Sequence, residues 1–380
     1  MSSRFNCAQK WGLAILLSLH PMGADMSSAS YEQKFGIKVG APFETEPAKG
    51  RDFREMSVHP NSEELLFVEC SRQLEPTGGC YVLRYHLTTK ALLRYNLPGG
   101  YFYSTAKFSP RGTYVVMSRV PKPGSSEHPE ARREAYDQTE IVYMKADGTE
   151  FRALPLAQGN KVAPIMSLDE ARVAYWRSTL RRPGSKTFSS NFDIWEVNLE
   201  TGDDHLFAGP FSFFERANLQ YLSQDELLVG ATGPAGVKGA IAGEYAKKYN
   251  NSEVYRIIRG VSTLPPPILT DIKWASFPSC DGAGTLYVYG DRPASSFVRK
   301  STQGQIEQWR IPEAVALGGL RFLIAAPNGS YITFLYQIKG SNPGEGKNGM
   351  GLLNTQTAEW SPLSIPALQS STEITVQAAN

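Results

Sequence analysis

The sequence has little cysteine and little excess charge. Only 4 of its 380 residues are cysteine, which excludes a small disulfide-dense scaffold. Lysine and arginine number 39 and aspartate and glutamate 37, so the formal net charge is +2. Nucleic-acid-binding proteins usually carry a strong basic excess, and we expect no nucleic-acid partner here. Since 41% of the residues are hydrophobic, the chain can bury a substantial core.

Long apolar runs are also missing. The run over residues 11–19 has about nine residues, far fewer than the roughly twenty that cross a bilayer, and no later segment approaches that length. It follows Arg4 and Lys10 and precedes Pro21 and Ala24, which is the pattern of a cleaved signal peptide. The alternative is a buried N-terminal helix. We expect an exported protein without a membrane span, periplasmic as the first choice and secreted as the second.

Export gives two of the cysteines a role. Cys70 and Cys80 remain after the signal is removed and lie at the ends of two strand-like runs joined by a short loop. Neighbouring antiparallel strands bring such positions within disulfide range in an oxidising compartment. We expect a Cys70–Cys80 disulfide, with two unpaired thiols as the alternative. Cys280 is left as a buried free thiol.

One short pattern recurs six times along the chain. Each copy has Ser, Pro, Asp or Gly turn residues followed by an apolar and aromatic run, and the copies start roughly 48–58 residues apart. This period is longer than the about 40–45 residues of a WD repeat and indicates a repeat architecture. The copies cover residues 57–68, 108–117, 166–175, 221–229, 277–289 and 326–334.

Each copy is followed by a second pair of strand-like runs, such as residues 80–86 with 91–95. Gly148 and Gly202 lie in hairpin turns between such runs. Six units of four strands, without an amphipathic helix, predict an all-β fold: a six-bladed β-propeller of four-stranded blades. Two tandem β-sandwiches are the alternative, although they do not predict six copies of one motif.

The propeller is expected to occupy residues 51–380 as a single domain. Residues 1–24 are then the signal peptide and residues 25–50 an N-terminal extension. A strand from one terminus is expected to close the ring. Residues 32–40 and residues 373–376 both have the pattern of such a strand, and the sequence does not decide between them.

Two blocks of residues carry a family resemblance. Residues 108–116 read Phe-Ser-Pro-Arg-Gly-Thr-Tyr-Val-Val, and residues 193–202 read Asp-Ile-Trp-Glu-Val-Asn-Leu-Glu-Thr-Gly. They resemble the propeller repeat of the TolB family of periplasmic proteins, and the resemblance extends over about residues 50–365. TolB itself also has an α/β domain before its propeller, for which residues 25–50 are too short. We therefore expect a TolB-like propeller without that N-terminal domain.

The long insertions are expected on one face of the propeller. They connect the second and third strands of a blade and are called B–C loops here; they cover residues 119–139, 177–191, 231–252 and 337–349. Long loops on a rigid scaffold often form binding surfaces. We expect a basic rim there that attracts an acidic partner, and the alternative is an ordinary solvated surface. Its residues are Arg177, Arg181, Arg182, Lys186, Lys238, Lys247, Lys248, Lys339 and Lys347.

Aromatic residues are a second kind of candidate. Most of the 18 Tyr, 18 Phe and 6 Trp lie within strand-like runs and are expected in the core. Tyr101, Tyr103 and Phe213 are instead expected in blade-to-blade connections on the face of the B–C loops. There they could stack on a sugar ring or on a protein partner. The alternative is that they pack beneath the loops.

Catalytic motifs are scarce. No two histidines outside the signal peptide have the spacing of metal ligands, and the Gly-x-Ser-x-Gly motif of hydrolases is missing. The sequence favours a non-catalytic propeller without a cofactor that binds an envelope protein or an acidic glycan through its B–C loops. The alternative is a propeller enzyme with a metal in the central channel, a lyase or lactonase acting on an acidic saccharide or a lactone.

Overall fold

The computed structural model describes most of the chain outside its N-terminal region. The described residues are 32–34, 38–39, 51–71, 79–122, 134–181, 189–213, 215–232, 252–270, 272, 275–290, 296–310, 317–338, 347–367 and 371–379. They form β-strands and one helical turn, at residues 134–137. No helix within these ranges is long and apolar enough to cross a membrane. The expected signal peptide lies outside them.

The strands form six antiparallel sheets, which are the blades of a propeller. Two short strands come first, β1 (Glu32–Lys34) and β2 (Lys38–Val39). Blade 1 then contains β3 (Arg51–Val58), β4 (Glu64–Ser71), β5 (Gly79–His86) and β6 (Leu92–Asn96). Blade 2 contains β7 (Tyr101–Phe108), β8 (Tyr114–Pro121), β9 (Glu140–Lys145) and β10 (Arg152–Ala153).

Blade 3 contains β11 (Asn160–Met166), β12 (Arg172–Ser178), β15 (Phe192–Asn198) and β16 (Asp204–Phe213). The hairpin of β13 (Leu180–Arg181) and β14 (Ser189–Ser190) extends its B–C loop. Blade 4 contains β17 (Glu215–Ser223), β18 (Glu226–Thr232) and β19 (Ser252–Ile258).

Blade 5 contains β20 (Ser276–Cys280), β21 (Leu286–Gly290), β22 (Ser296–Lys300) and β23 (Ile306–Arg310). Blade 6 contains β24 (Leu317–Ala325), β25 (Tyr331–Ile338), β26 (Lys347–Asn354) and β27 (Glu359–Pro362), and β28 (Thr372–Thr375) comes last. The innermost strands of successive blades contact one another, and β24 contacts β3, so the ring is closed. The all-β class and the six-bladed propeller are confirmed.

Both faces of a blade are buried, as β4 shows. Leu65 and Phe67 pack in one cluster with Leu335 of blade 6, and Leu66 and Val68 pack in another with residues of blade 2. All four of these β4 side chains are fully buried. Successive strand residues point to opposite faces, so a strand between two neighbours reads as a continuous apolar run. This explains why the repeats show apolar runs without polar alternation.

Every innermost strand has at least one register shift of the kind that a β-bulge produces. The pairing register shifts between Arg54 and Met56 in blade 1 and between Tyr103 and Thr105 in blade 2, and equivalent shifts occur in the other four blades. A bulge bends a strand and turns a side chain out of its regular direction. The bend therefore recurs around the central channel with the period of the repeat.

Blade 4 differs from the expected four strands. The described part of this blade has three strands, and residues 259–270 follow β19 where the outer strand would be. Ile268 N–H donates to Val254 O at 2.8 Å. Residues 265–267 are all proline, and proline has no N–H to donate to a neighbouring strand. The proline run explains why residues 259–270 do not pair with β19 as a fourth strand.

Both candidate closing segments pair with the propeller, and neither completes a blade. β1 pairs with β23 and β2 with β27, so the N-terminal segment lies along the outer edges of blades 5 and 6. β28 pairs with β6 on the outer edge of blade 1, and Ala378 bridges to Phe151 of blade 2. All four pairings are parallel. The two segments thus flank the junction of blades 6 and 1, one on each side of it.

The described cysteines of blade 1 are joined. Cys70 of β4 and Cys80 of β5 lie directly opposite each other and form a disulfide, which closes the connection between these strands. Cys280 is buried and free.

The docking of the C-terminal segment predicts different effects for two similar glycines. Gly148 and Gly202 both lie in hairpin turns with positive φ, of 93° and 74°. A Cβ at Gly148 would lie 2.6 Å from Thr375 O, whereas a Cβ at Gly202 would meet nothing within 4 Å. We expect Gly202→Ala to lower the free energy of unfolding by about 1 kcal/mol through backbone strain alone. Gly148→Ala should lose about 1–2 kcal/mol more, because it displaces β28.

Urea denaturation of the two variants checks this expectation, and hydrogen exchange should show lost protection over residues 371–379 in Gly148→Ala only. Equal losses of stability, with protection unchanged, would contradict the docking of this segment.

Candidate functional site

A pocket opens on the propeller axis at the face that carries the short turns. Its volume is about 180 Å³, and all six innermost strands contribute to its wall. Each contributes residues at its carboxyl end, because the innermost strands all run toward this face. One wall residue from each blade is Met56, Phe108, Met166, Tyr221, Cys280 and Ile324.

The mouth of this axial pocket is formed by one equivalent turn position in five of the blades. The residues are Pro60, Pro110, Leu168, Gly282 and Pro327. They belong to the turn of the sequence repeat, and the sequence predicted a turn there but not a binding site. The repeat could have indicated the site, because equivalent turns of a ring must converge on its axis. Proline and leucine make the mouth apolar, and proline also holds its backbone rigid.

The polar groups of the wall are bonded to the next blade. Ser57 Oγ accepts a hydrogen bond from Phe108 N–H at 3.0 Å, and Ser279 Oγ accepts one from Ala325 N–H at 3.0 Å. Gln220 makes two bonds with the backbone of Cys280, of 2.8 and 2.9 Å. These bonds fix neighbouring walls relative to one another, so the pocket is formed in advance of any ligand.

Two further polar residues of the pocket also hold its structure. Asn218 Nδ2 donates to Leu323 O at 3.1 Å, a bond from blade 4 to blade 6 across the channel. Asp281 Oδ1 accepts hydrogen bonds from Ala283 N–H and Thr285 N–H of its own turn, both at 2.9 Å. Apart from the buried Lys107 of β7, the rest of the wall is mainly apolar.

The basic rim predicted on the opposite face lies largely outside the described residues. This applies to Arg182, Lys186, Lys238, Lys247, Lys248 and Lys339. Arg181 lies in β13 and Lys347 begins β26. Arg177 is half-buried, stacks on Trp195 at 4.3 Å and lies 3.5 Å from Asp204 Oδ2. Its charge is thus balanced within the blade, and the rim as a whole stays a prediction.

The predicted aromatic contacts are found in strands rather than in connections. Phe213 is fully buried, 5.5 Å from the Trp176 ring and 5.7 Å from the Tyr255 ring. Tyr103 is buried, and its hydroxyl donates to Pro98 O at 3.1 Å. Both rings point between neighbouring blades, which is the packing alternative and not the stacking one. Tyr101 is half-buried under the Arg119 guanidinium at 3.8 Å.

A buried lysine anchors the end of the B–C loop of blade 2. Lys161 is 3% exposed, and its Nζ donates to Thr139 O at 2.7 Å and to Gly159 O at 3.1 Å. Gly159 N–H also donates to Asp137 O at 2.8 Å. Burial, together with the nearby Arg177 charge, lowers the pKa of Lys161 from 10.5 to about 8. The same loop end therefore has two links to the start of β11.

Among the described residues, no group of three or more His, Cys, Asp or Glu side chains is arranged to hold a metal ion. His59, His86 and His205 lie in or beside turns on the face of the axial pocket, in blades 1 and 3. His59 Nδ1 accepts from Asn61 N–H at 3.2 Å, and His86 Nδ1 accepts from Thr88 N–H at 3.2 Å. These bonds hold the turns.

The fold and pocket define the class of protein: a six-bladed β-propeller with an axial pocket. In fold it is TolB-like. TolB from Acinetobacter baumannii aligns with a TM-score of 0.51 at 10% identity, over 83% of this chain and 64% of that one. This chain thus spans just under two thirds of the TolB chain, and the likeness at this identity establishes the fold.

Propeller domains of peptidases also align. The propeller domain of the Trilobed protease from Pyrococcus furiosus gives a TM-score of 0.46 at 12% identity, over 83% of this chain and 84% of that one. An acylaminoacyl peptidase from Pyrococcus horikoshii gives 0.47 at 11% identity, over 83% and 46%. No protein-family model matches the sequence. No curated protein matches it either.

The buried lysine predicts a specific dependence of stability on pH. Its pKa is lowered in the folded protein, so between about pH 8 and pH 10.5 the unfolded chain binds a proton that the folded protein has released. Stability from this group therefore rises with pH across that window. Relative to Lys161→Met, the wild-type protein should gain about 2–3 kcal/mol in the free energy of unfolding. If the free energy of unfolding changes with pH in the same way in both proteins, the lowered pKa is contradicted.

Urea titrations at a series of pH values measure this difference. Lys90→Met, at an exposed turn position, is the matched control and should run parallel to the wild type.

Proposed function

We propose that this protein is a non-catalytic binding module of the cell envelope and that the axial pocket receives a segment of a protein partner. The observation that carries the proposal is the pocket itself, which all six blades build and which opens to the surface. Concave, mainly apolar sites with a few fixed polar groups are the usual form of a binding site in proteins.

The rigidity of the pocket supports a binding function. Its wall is held by hydrogen bonds from one blade to the next, at Ser57, Gln220 and Ser279. A site that needs no ordering when the ligand arrives retains more of the interaction free energy. Three prolines at the mouth add to this effect, since their backbone has little freedom to lose.

A second contact on the B–C loop face is proposed from the sequence. The basic residues Arg181, Arg182, Lys247 and Lys248 are suited to an acidic surface, whether of a protein or of a glycan. The two faces lie at opposite ends of the channel. A partner bound at one end leaves the other accessible.

Export to the periplasm completes the proposal. Residues 1–24 have the pattern of a signal peptide. The Cys70–Cys80 disulfide is of the kind that persists in an oxidising compartment. The TolB-like fold is compatible with this location.

Capture of envelope proteins by residues 25–380 tests the proposal. Pro327→Trp places a bulky side chain at the mouth of the pocket, and we expect it to lower partner retention at least about tenfold. Gln356→Trp is the matched control, because it adds the same side chain on the same face in an exposed turn away from the axis. A third variant tests the opposite face by changing four basic residues together to Glu: Arg181, Arg182, Lys247 and Lys248.

The three variants separate the possible results. Loss of a partner in Pro327→Trp alone assigns binding to the axial pocket, and loss in the charge-reversed variant alone assigns it to the B–C loop face. A partner retained by all variants contradicts both assignments. A tightly held divalent ion, found by elemental analysis, would instead favour the lyase or lactonase alternative.

A further inference from the structure

The turns around the axial pocket are acidic in one sector. Blades 3 and 4 place five carboxylates in their short turns, of which all but Glu170 are exposed and Glu170 is half-exposed. We call this set the acidic sector. Its members are Asp169, Glu170, Glu200, Asp203 and Asp225.

Few positive charges offset the acidic sector. Arg259 lies 2.9 Å from Asp225 Oδ1, but it also pairs with the fully buried Glu196. Arg172 lies 3.5 Å from Asp169 Oδ2. Arg111 of blade 2 also lies beside the sector, because its backbone N–H bonds to Glu170. With Glu196 included, six carboxylates thus face three guanidinium groups, which leaves three negative charges.

The remaining charges nearby cancel in pairs. Arg177 lies 3.5 Å from Asp204 Oδ2, and Arg256 lies 2.6 Å from Glu226 Oε1. In the turns of blades 5, 6 and 1, the charged residues are Glu63, Lys90 and the buried Asp281. Blade 2 adds Asp147 and the Lys145–Glu150 ion pair, besides Arg111. The negative potential of the turn face is therefore concentrated over blades 3 and 4.

The acidic sector begins at the edge of the pocket. Leu168 lines the pocket, and Asp169 and Glu170 follow it in the same turn. Leu222 lines the pocket in blade 4, and Asp225 lies in the turn that follows. Glu200 and Asp203 lie farther out, in the turn between β15 and β16. Apolar wall and carboxylates form one continuous track from the axis to the rim.

The carboxylates at the pocket edge are held in place. Asp169 Oδ1 accepts hydrogen bonds from Ser167 Oγ at 2.5 Å and from Ala171 N–H at 3.1 Å. Glu170 Oε1 accepts one from Arg111 N–H at 3.1 Å. These bonds keep the pKa of Asp169 below its usual value, so its charge is present at neutral pH. A charge fixed in position acts on a partner with little ordering cost.

We infer that the axial pocket recognises a basic peptide segment: an apolar side chain enters the pocket, and lysine or arginine residues beside it lie over the acidic sector. The inference rests on the proposed function and adds the chemistry of the partner. Charge complementarity selects this occupant, because an acidic peptide or glycan would meet three unbalanced negative charges on the same track. The partner segment would thus approach from the side of blades 3 and 4.

Labelled synthetic peptides test the inference by fluorescence anisotropy. The first peptide, of about twelve residues, has one Phe followed by three Arg spaced with Ser; a second has Glu in place of Arg, and a third has Ser in place of Phe. We expect the Phe–Arg peptide to bind most tightly and to weaken about tenfold or more between roughly 0.05 and 0.5 M salt. The other two peptides should each bind at least about tenfold more weakly.

A variant without the acidic sector provides the decisive comparison. It combines Asp169→Asn, Glu170→Gln, Glu200→Gln, Asp203→Asn and Asp225→Asn, and it should bind the Phe–Arg peptide about tenfold or more weakly. The control removes the same number of charges elsewhere and should bind like the wild type. It combines Asp52→Asn, Glu63→Gln, Glu134→Gln, Asp147→Asn and Glu359→Gln. Should the sector variant unfold, Glu200→Gln with Asp203→Asn in an exposed turn replaces it.

Each result bears on a different part of the argument. Equal binding of the Arg and Glu peptides, unchanged affinity in the sector variant, or no peptide binding at all would overturn the basic-segment inference. The proposed function would survive any of these results if partner capture still depended on Pro327. Conversely, peptide binding that depends on the Arg residues but is unchanged by loss of the Phe or by Pro327→Trp would contradict the axial pocket as the site.

Discussion

The structure depends on the burial of both faces of every blade. A single blade would expose two apolar faces, as the alternation of Leu65, Leu66, Phe67 and Val68 between two clusters shows. Each blade is therefore stable only between two others, and the ring is the arrangement in which none is left at an end. Closure is achieved by contact between the innermost strands of blades 6 and 1, and by Tyr331 and Asn328 bonded to Ser62 across that junction. The axial pocket is a direct result, because the ring brings the ends of six innermost strands together at its axis.

The fold was predictable from the sequence because its signals are local. Turn residues such as Pro110 and Gly148 act within a few positions, and a repeat multiplies the same signal six times. The features that were not predicted depend on distant residues or on exceptions to the repeat. The pairing of the terminal segments with the outer blade edges is long-range. In blade 4, the proline run at residues 265–267 explains why only three strands are found in its described part.

The candidate site was less accessible to sequence reasoning. Strand patterns show that Tyr103 and Phe213 are apolar, but only the packing of neighbouring blades shows that they point inward. Charge on a single residue was similarly misleading at Arg177, whose partner Asp204 lies two strands away. The turn prolines were visible, yet their convergence on the axis appears only once the ring is built. Local sequence patterns thus predicted the propeller architecture better than they predicted which side chains form its surface and its pocket.

The terminal strands also bear on the order in which the protein folds. Glu32 pairs with Glu307, and Lys38 pairs with Glu359, so the first strands of the chain find their partners only in the last two blades. These pairs have a very high contact order, and the loop-closure entropy must be overcome before they form. Blades 5 and 6 consequently gain their edge strands only after nearly the whole chain has been made. Folding of this propeller is therefore completed by the pairing of β1 and β2 with blades 5 and 6.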